Sequence, residues 1–168
     1  PGTFDGLSIT LNPDYDLEKR CYYLVHSLGS IILWSLDKEK SHHIFKDLRD
    51  AKKKKDQEPE RFRQALERYR SFEEASSDYA VWILADLGHD WAVPSYSEFF
   101  RADIEAMMIF HEQGVAPVWQ EFFPAWKKQV ARGEKEMRPF QPKPVPPFEP
   151  VRIPLQEVVH EIDGRPEE

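Results

Sequence analysis

The sequence predicts a mostly helical α+β fold with an extended C-terminal arm. Three observations carry that reading. Long segments repeat apolar residues at spacings of three and four, the period of one helix face. One short segment near the start alternates polar and apolar residues, the period of a strand. Seven of the fourteen prolines crowd into residues 139–154, where neither element persists.

The alternating segment, Gly6-Leu7-Ser8-Ile9-Thr10-Leu11, lies between the turn signals Asp5-Gly6 and Asn12-Pro13-Asp14. It is expected to form one strand of a small sheet. Asp14 or Asp16 can cap the helix that follows, over about 17–36. Leu17, Cys21, Leu24, Val25, Leu28, Ile31, Ile32 and Leu33 give it a wide apolar face. Gly29 interrupts that helix at a cost of about 1 kcal/mol relative to Ala, so close packing against a neighbour is expected there.

Residues 37–70 hold 12 Lys or Arg and 8 Asp or Glu, with few apolar residues, and read as an exposed helical hairpin. Lys52, Lys53, Lys54 and Lys55 mark its tip, and Pro59 suits the first turn of its second arm. A third helix is expected from Glu73 to Leu87, with Ala75, Tyr79, Trp82, Ile83 and Leu87 as its buried stripe. The fourth, about 96–113, buries Phe99, Phe100, Ile104, Met107, Met108 and Phe110 and stops at Gly114. The fifth, about 117–132, carries Trp119, Phe122, Phe123 and Trp126, and Pro124 is expected to kink it. This divides the chain into a domain over 1–133 and a Pro-rich arm with an acidic tail over 134–168.

The chain has 168 residues, 40% of them hydrophobic, enough for one real core. A net charge of -7 argues against a main role in gripping nucleic acid. One cysteine, Cys21, rules out an internal disulfide and a Cys-rich zinc module. No apolar run approaches the roughly 20 residues that span a bilayer, and the first ten residues do not read as a signal peptide. A soluble cytoplasmic protein is the expectation; what preceded Pro1 is left open.

The segment that stands out chemically is His26-Ser27-Leu28-Gly29-Ser30 in the first long helix. It resembles the H-E-x-x-H helix of zincin metallopeptidases, where two histidines one turn apart bind zinc and the Glu activates its water. A strand and an Asn-Pro-Asp turn precede it, and an apolar run leads into His26. Downstream, Glu73-Glu74-Ala75-Ser76-Ser77-Asp78-Tyr79-Ala80 resembles the E-x-x-A-x-x-F-A pattern that brings the third ligand in ImmA/IrrE-like peptidases. The resemblance covers about residues 5–87 and implies a zincin-like helical core in which the helices of His26 and Glu73 pack face to face. The charged hairpin makes the spacing between the motifs longer than that pattern.

The departures decide what the resemblance implies about activity. Ser27 stands where the general base belongs, and a hydroxyl cannot take a proton from water at a useful rate. Ser30 stands where the second imidazole belongs and is a poor zinc ligand. The vestigial metal-site positions are therefore His26, Ser30 and Glu73, with Glu74 the candidate if the register slips by one. The implied protein is a degenerate zincin with no catalytic residue and no cofactor, acting as a binding, structural or regulatory module.

Two alternatives stand beside it. The first is a zinc-dependent hydrolase with rearranged ligands, using His26, Glu73 and one of His42 or His43. The second is an adaptor that uses the basic hairpin tip for nucleic acid or an acidic partner. A lone His on an apolar helix face is also simply a core histidine in most proteins, and a lysine run is most often a solvated tip. Cys21 is expected to face the apolar side, turned about 140° from His26; His89 and His111 are expected as surface or cap residues. The segment Lys143-Pro144-Val145-Pro146-Pro147-Phe148 resembles a ligand for an aromatic groove. The preferred reading is an arm lying across its own domain or a sister chain, anchored by Phe140, Phe148, Val151 and Ile153. A protein partner or homo-oligomer is expected.

Overall fold

The computed structural model describes residues 3–4, 9–11, 13 and 15–151. Its architecture is mostly helical α+β: β1 (Thr3–Phe4), β2 (Ile9–Thr10), α1 (Leu17–Leu36), α2 (Lys38–Lys52), α3 (Pro59–Asp86), a 3-10 turn (Asp90–Ala92), α4 (Val93–Gln113) and α5 (Trp119–Ala131). The sheet is a two-residue antiparallel ladder that pairs Thr3 with Thr10 and Phe4 with Ile9. Ile9–Thr10 of the expected strand pair in this ladder; residues 6–8 lie outside the described residues. No helix among the described residues is long and apolar enough to cross a membrane.

Local chemistry sets the helix ends. Asp16 caps α1, its carboxylate accepting the Lys19 N–H at 2.8 Å. Asp37 serves two helices at once: its N–H donates to Leu33 O at the end of α1, and its carboxylate accepts the Lys40 N–H at 3.0 Å to open α2. Such caps contribute about 1 kcal/mol each. Pro59 starts α3, and Gly114 ends α4 in the left-handed conformation at φ 78°.

One expected boundary is absent. The second hairpin arm and the third helix are a single element, α3, of 28 residues. Phe62, Leu66, Tyr69 and Phe72 continue the stripe that Tyr79 and Ala80 extend, so one face stays buried along its whole length. Charge on the other face hid that continuity. The sparse apolar residues of α2, Ile44, Phe45, Leu48 and Ala51, are all buried against it.

Helices α1 and α3 form the central pair, with α2 and α4 packed on α3. At their crossing Gly29 meets the backbone of Ser76, and a Cβ on Gly29 would lie 2.1 Å from the Ser76 carbonyl oxygen. The expected close approach is there. The apolar face of α1 is narrower than expected: Leu17 is 69% exposed, and Leu24, Leu28 and Cys21 also face solvent. Leu87 is exposed because α3 ends at Asp86, before it. Pro124 lies within α5, whose Trp126 is buried.

From Gly133 the chain leaves the helices and runs back across them. Phe140 is buried, its N–H donating to Ser97 Oγ at 3.0 Å, with the Arg101 guanidinium 4.0 Å from its ring centre. Gln141 and Lys143 donate backbone N–H groups to the Asp78 carboxylate and carbonyl. Val151 N–H reaches Ser35 Oγ at 3.2 Å. The segment has no regular secondary structure, and these backbone N–H groups find their partners on α1, α3 and α4 instead. Ile153 lies outside the described residues.

Candidate functional site

His26, at the middle of α1, points into a buried junction of three helices. Its Nε2 lies 3.0 Å from Glu73 Oε2 on α3. Its Nδ1 lies 3.2 Å from the Tyr96 hydroxyl on α4 and 3.3 Å from Ser77 Oγ on α3. The ring of Phe100 stacks on the imidazole at 4.2 Å between centres. His26 and Glu73 are both buried. A carboxylate only accepts, so in the neutral ring Nε2–H donates to Glu73 and Nδ1 accepts from Tyr96.

The surroundings are polar but closed. Burial holds the Tyr96 hydroxyl well above the usual tyrosine range, so it stays a donor. Burial also raises Tyr23, whose hydroxyl donates to Asp103 at 3.4 Å. Asp103 is pushed up to about 6, chiefly by burial, with His26 lowering it and Glu73 raising it. Ser27 turns back to donate to the Tyr23 carbonyl at 2.8 Å. Ser30 Oγ lies within hydrogen-bond reach of the His26 carbonyl and of Ser76 Oγ.

His26 and Glu73 are two of the ligand types of a catalytic zinc site. Such a site needs three protein ligands, and among the described residues no group of three His, Cys, Asp or Glu side chains is placed to hold a metal. His42 and His43 lie on α2 and are exposed, apart from the junction. The cluster does hold the residue types of a Ser–His–Glu triad in Ser77, His26 and Glu73. Ser77, however, is fully buried and its Oγ donates to the Glu73 carbonyl at 3.1 Å, so a substrate has no approach to it.

The other sequence candidates are spread over the surface. Lys52 stands over the Phe110 ring at 4.8 Å, Lys54 pairs with Glu58 at 3.7 Å, and Lys55 donates to the Glu112 carbonyl at 3.2 Å near the end of α4. The basic tip is thus partly tied to its own domain. Lys53 caps the end of α2. Glu74 pairs with Arg101 at 2.7 Å, away from His26. Pro144, Pro146 and Pro147 are exposed and Phe148 is half-buried. Cys21 is exposed rather than apolar-facing. His111 is buried on α4 with its ring against Tyr69, not at the surface; His89 is exposed.

Sequence reasoning missed Ser77, Tyr96 and Asp103, and placed Phe100 in the core without linking it to His26. The signal was present on α4: Tyr96, Phe100 and Asp103 recur at i, i+4 and i+7, one face that mixes aromatic and ionisable groups. Ser77 follows Glu73 by one turn. Comparison with known proteins found no matching family model, no matching curated protein and no matching solved structure.

Proposed function

We infer that this chain is a catalytically degenerate, zincin-like protein of the ImmA/IrrE kind that works as a binding, structural or regulatory module. The observation that carries the reading is the closure of the His26 ring. One nitrogen faces Glu73, the other Tyr96 and Ser77, and Phe100 covers a face. The groups that a zincin would turn toward metal and water are here turned toward one another. Ser27 and Ser30 make local hydrogen bonds in place of a base and a ligand. The old site then acts as a polar lock between α1, α3 and α4. Binding falls to the surface, where Leu87, Trp91, Val115 and Val118 leave large apolar side chains in water beside helix ends.

The test is metal content by mass spectrometry on untagged protein, with thermal melts in excess Zn²⁺. Metal-free protein that stays folded and gains nothing from zinc is the expected result. Near-stoichiometric metal, lost on His26→Ala or Glu73→Ala, would replace this reading with the zinc-dependent hydrolase. Binding of an oligonucleotide that weakens steeply with salt and on Lys53→Glu would replace it with the basic-tip adaptor.

A further inference from the structure

A groove of about 630 Å³ opens where the end of α1, the start of α2 and the middle of α3 meet. Its floor is Leu33, Leu36, Ile44, Phe72 and Ala75. Lys40, His43 and Arg68 stand on its rim. Lys40 makes no ion pair among the described residues, Arg68 pairs with Asp47, and the rim acids are engaged: Asp37 caps α2 and Glu67 lies 3.6 Å from Arg70. The groove is therefore apolar below and carries basic side chains above.

The arm brings the chain to the helix that forms one wall of this groove. Val151 donates to Ser35 Oγ on the last turns of α1, a residue that does not line the groove and is turned about 100° round the helix from Leu36. Residues 152–168, outside the described part, follow directly. Four extended residues reach about 13 Å, enough to bring Leu155 round the helix. In sequence, Leu155, Val158, Val159 and Ile162 recur at i, i+3, i+4 and i+7, the spacing of one helix face. Glu157, Glu161 and Asp163 stand among them, and residues 152–168 carry five acids against two arginines. Apolar spacing suits the floor and the charge suits the rim.

We propose that the C-terminal segment 155–162 of this chain docks in the groove between α1, α2 and α3, its apolar positions on Leu33, Leu36, Ile44 and Phe72 and its acids at Lys40, His43 and Arg68. The groove is then a self-docking site, and the arm is held at both ends: by Phe140 and by the tail. The inference stands whether or not the zincin-like reading does.

The test uses the full chain. In a Cys21→Ser background, Ala75→Cys is paired with Val159→Cys and mildly oxidised. An intramolecular disulfide in most molecules is expected, and the control pair Arg132→Cys with Val159→Cys is expected to form none. Disulfide-linked dimers would assign the groove to a second copy, and absence of any disulfide would remove the tail; either overturns the proposal. A second measurement covers the case in which the cysteine variants misfold. N-phenyl-1-naphthylamine, a neutral apolar dye, is titrated into the wild-type chain and into Val158→Asp/Val159→Asp, both checked for an unchanged melt. Affinity about tenfold higher in the variant is expected, a change abolished by adding Ala75→Trp. Equal binding to both chains, blocked by Ala75→Trp, would mean a groove open to small apolar ligands and would overturn the proposal.

Discussion

Gly29 and the Ser76 carbonyl set the distance between the two central helices. The Cβ that Gly29 lacks would sit 2.1 Å from Ser76 O, 3.0 Å from its carbonyl carbon and 3.3 Å from Ala80 N. The obstacles are backbone atoms, which cannot swing aside. Three residues before Gly29, His26 reaches Glu73 at 3.0 Å. The pair exists because the helices approach this closely.

Gly29→Ala is therefore expected to destabilise. In an exposed helix the change would stabilise by about 1 kcal/mol. Here overpacking opposes it by about 1–3 kcal/mol, and separation of the helices also stretches the His26–Glu73 contact. Urea denaturation would show a lower midpoint with an unchanged slope. A variant as stable as the wild type would mean that α1 and α3 are not locked at this crossing.

The buried pair gives a second prediction. Removing one partner leaves the other polar group buried and unmatched, which costs about 1–3 kcal/mol, and more where the group left behind is a carboxylate. His26→Leu and Glu73→Leu are each expected to destabilise strongly, and the double variant by less than their sum. A double-mutant cycle by chemical denaturation measures the coupling. Strict additivity would show that His26 and Glu73 do not act on each other.

Asp103 makes stability depend on pH in a defined direction. Its carboxyl is raised from 3.8 to about 6, mainly by burial. The folded chain therefore binds this proton more tightly than the unfolded chain does. The stability this proton brings is fully present below about pH 3.8 and is lost as pH rises through about 6. Asp103→Asn keeps the neutral form at every pH. Relative to the wild type, its stability is expected to improve between pH 4 and pH 7.5. Denaturation series on both chains check this, since the other carboxylates cancel in the difference. A constant difference across that range would refute the assignment.

Much of this fold was legible because it rests on periodicity. The cap at Asp16, one of the two candidates, the stop at Gly114 and the close approach at Gly29 follow from residue type; the double cap at Asp37 was not read from it. The continuity of α3 was hidden because its exposed face is so charged that the sparse Phe62, Leu66 and Tyr69 looked incidental. At the junction, sequence named His26 and Glu73 but not Tyr96, Phe100 or Asp103. Those come from α4, and which face of α4 meets α1 is a tertiary fact. The same holds for Leu17, Leu24 and Leu28, apolar residues at a helical period that the neighbouring helices do not cover.

The arm gives the last prediction, because its anchoring is uneven. Phe140 is 1% exposed and touches Tyr96, the residue that also meets His26, while Arg101 covers its ring. Pro144, Pro146 and Pro147 are exposed. If the arm is part of the core, Phe140→Ala costs about 3–5 kcal/mol, as for other large aromatic truncations. Replacing any of the three prolines by Ala costs less than about 0.5 kcal/mol, as at ordinary surface sites. Limited proteolysis adds a local readout: Phe140→Ala is expected to speed cleavage between Arg138 and Val151 well before the helices are cut. Equal protection in the two chains would mean that the Asp78 and Ser35 hydrogen bonds hold the arm without its aromatic anchor.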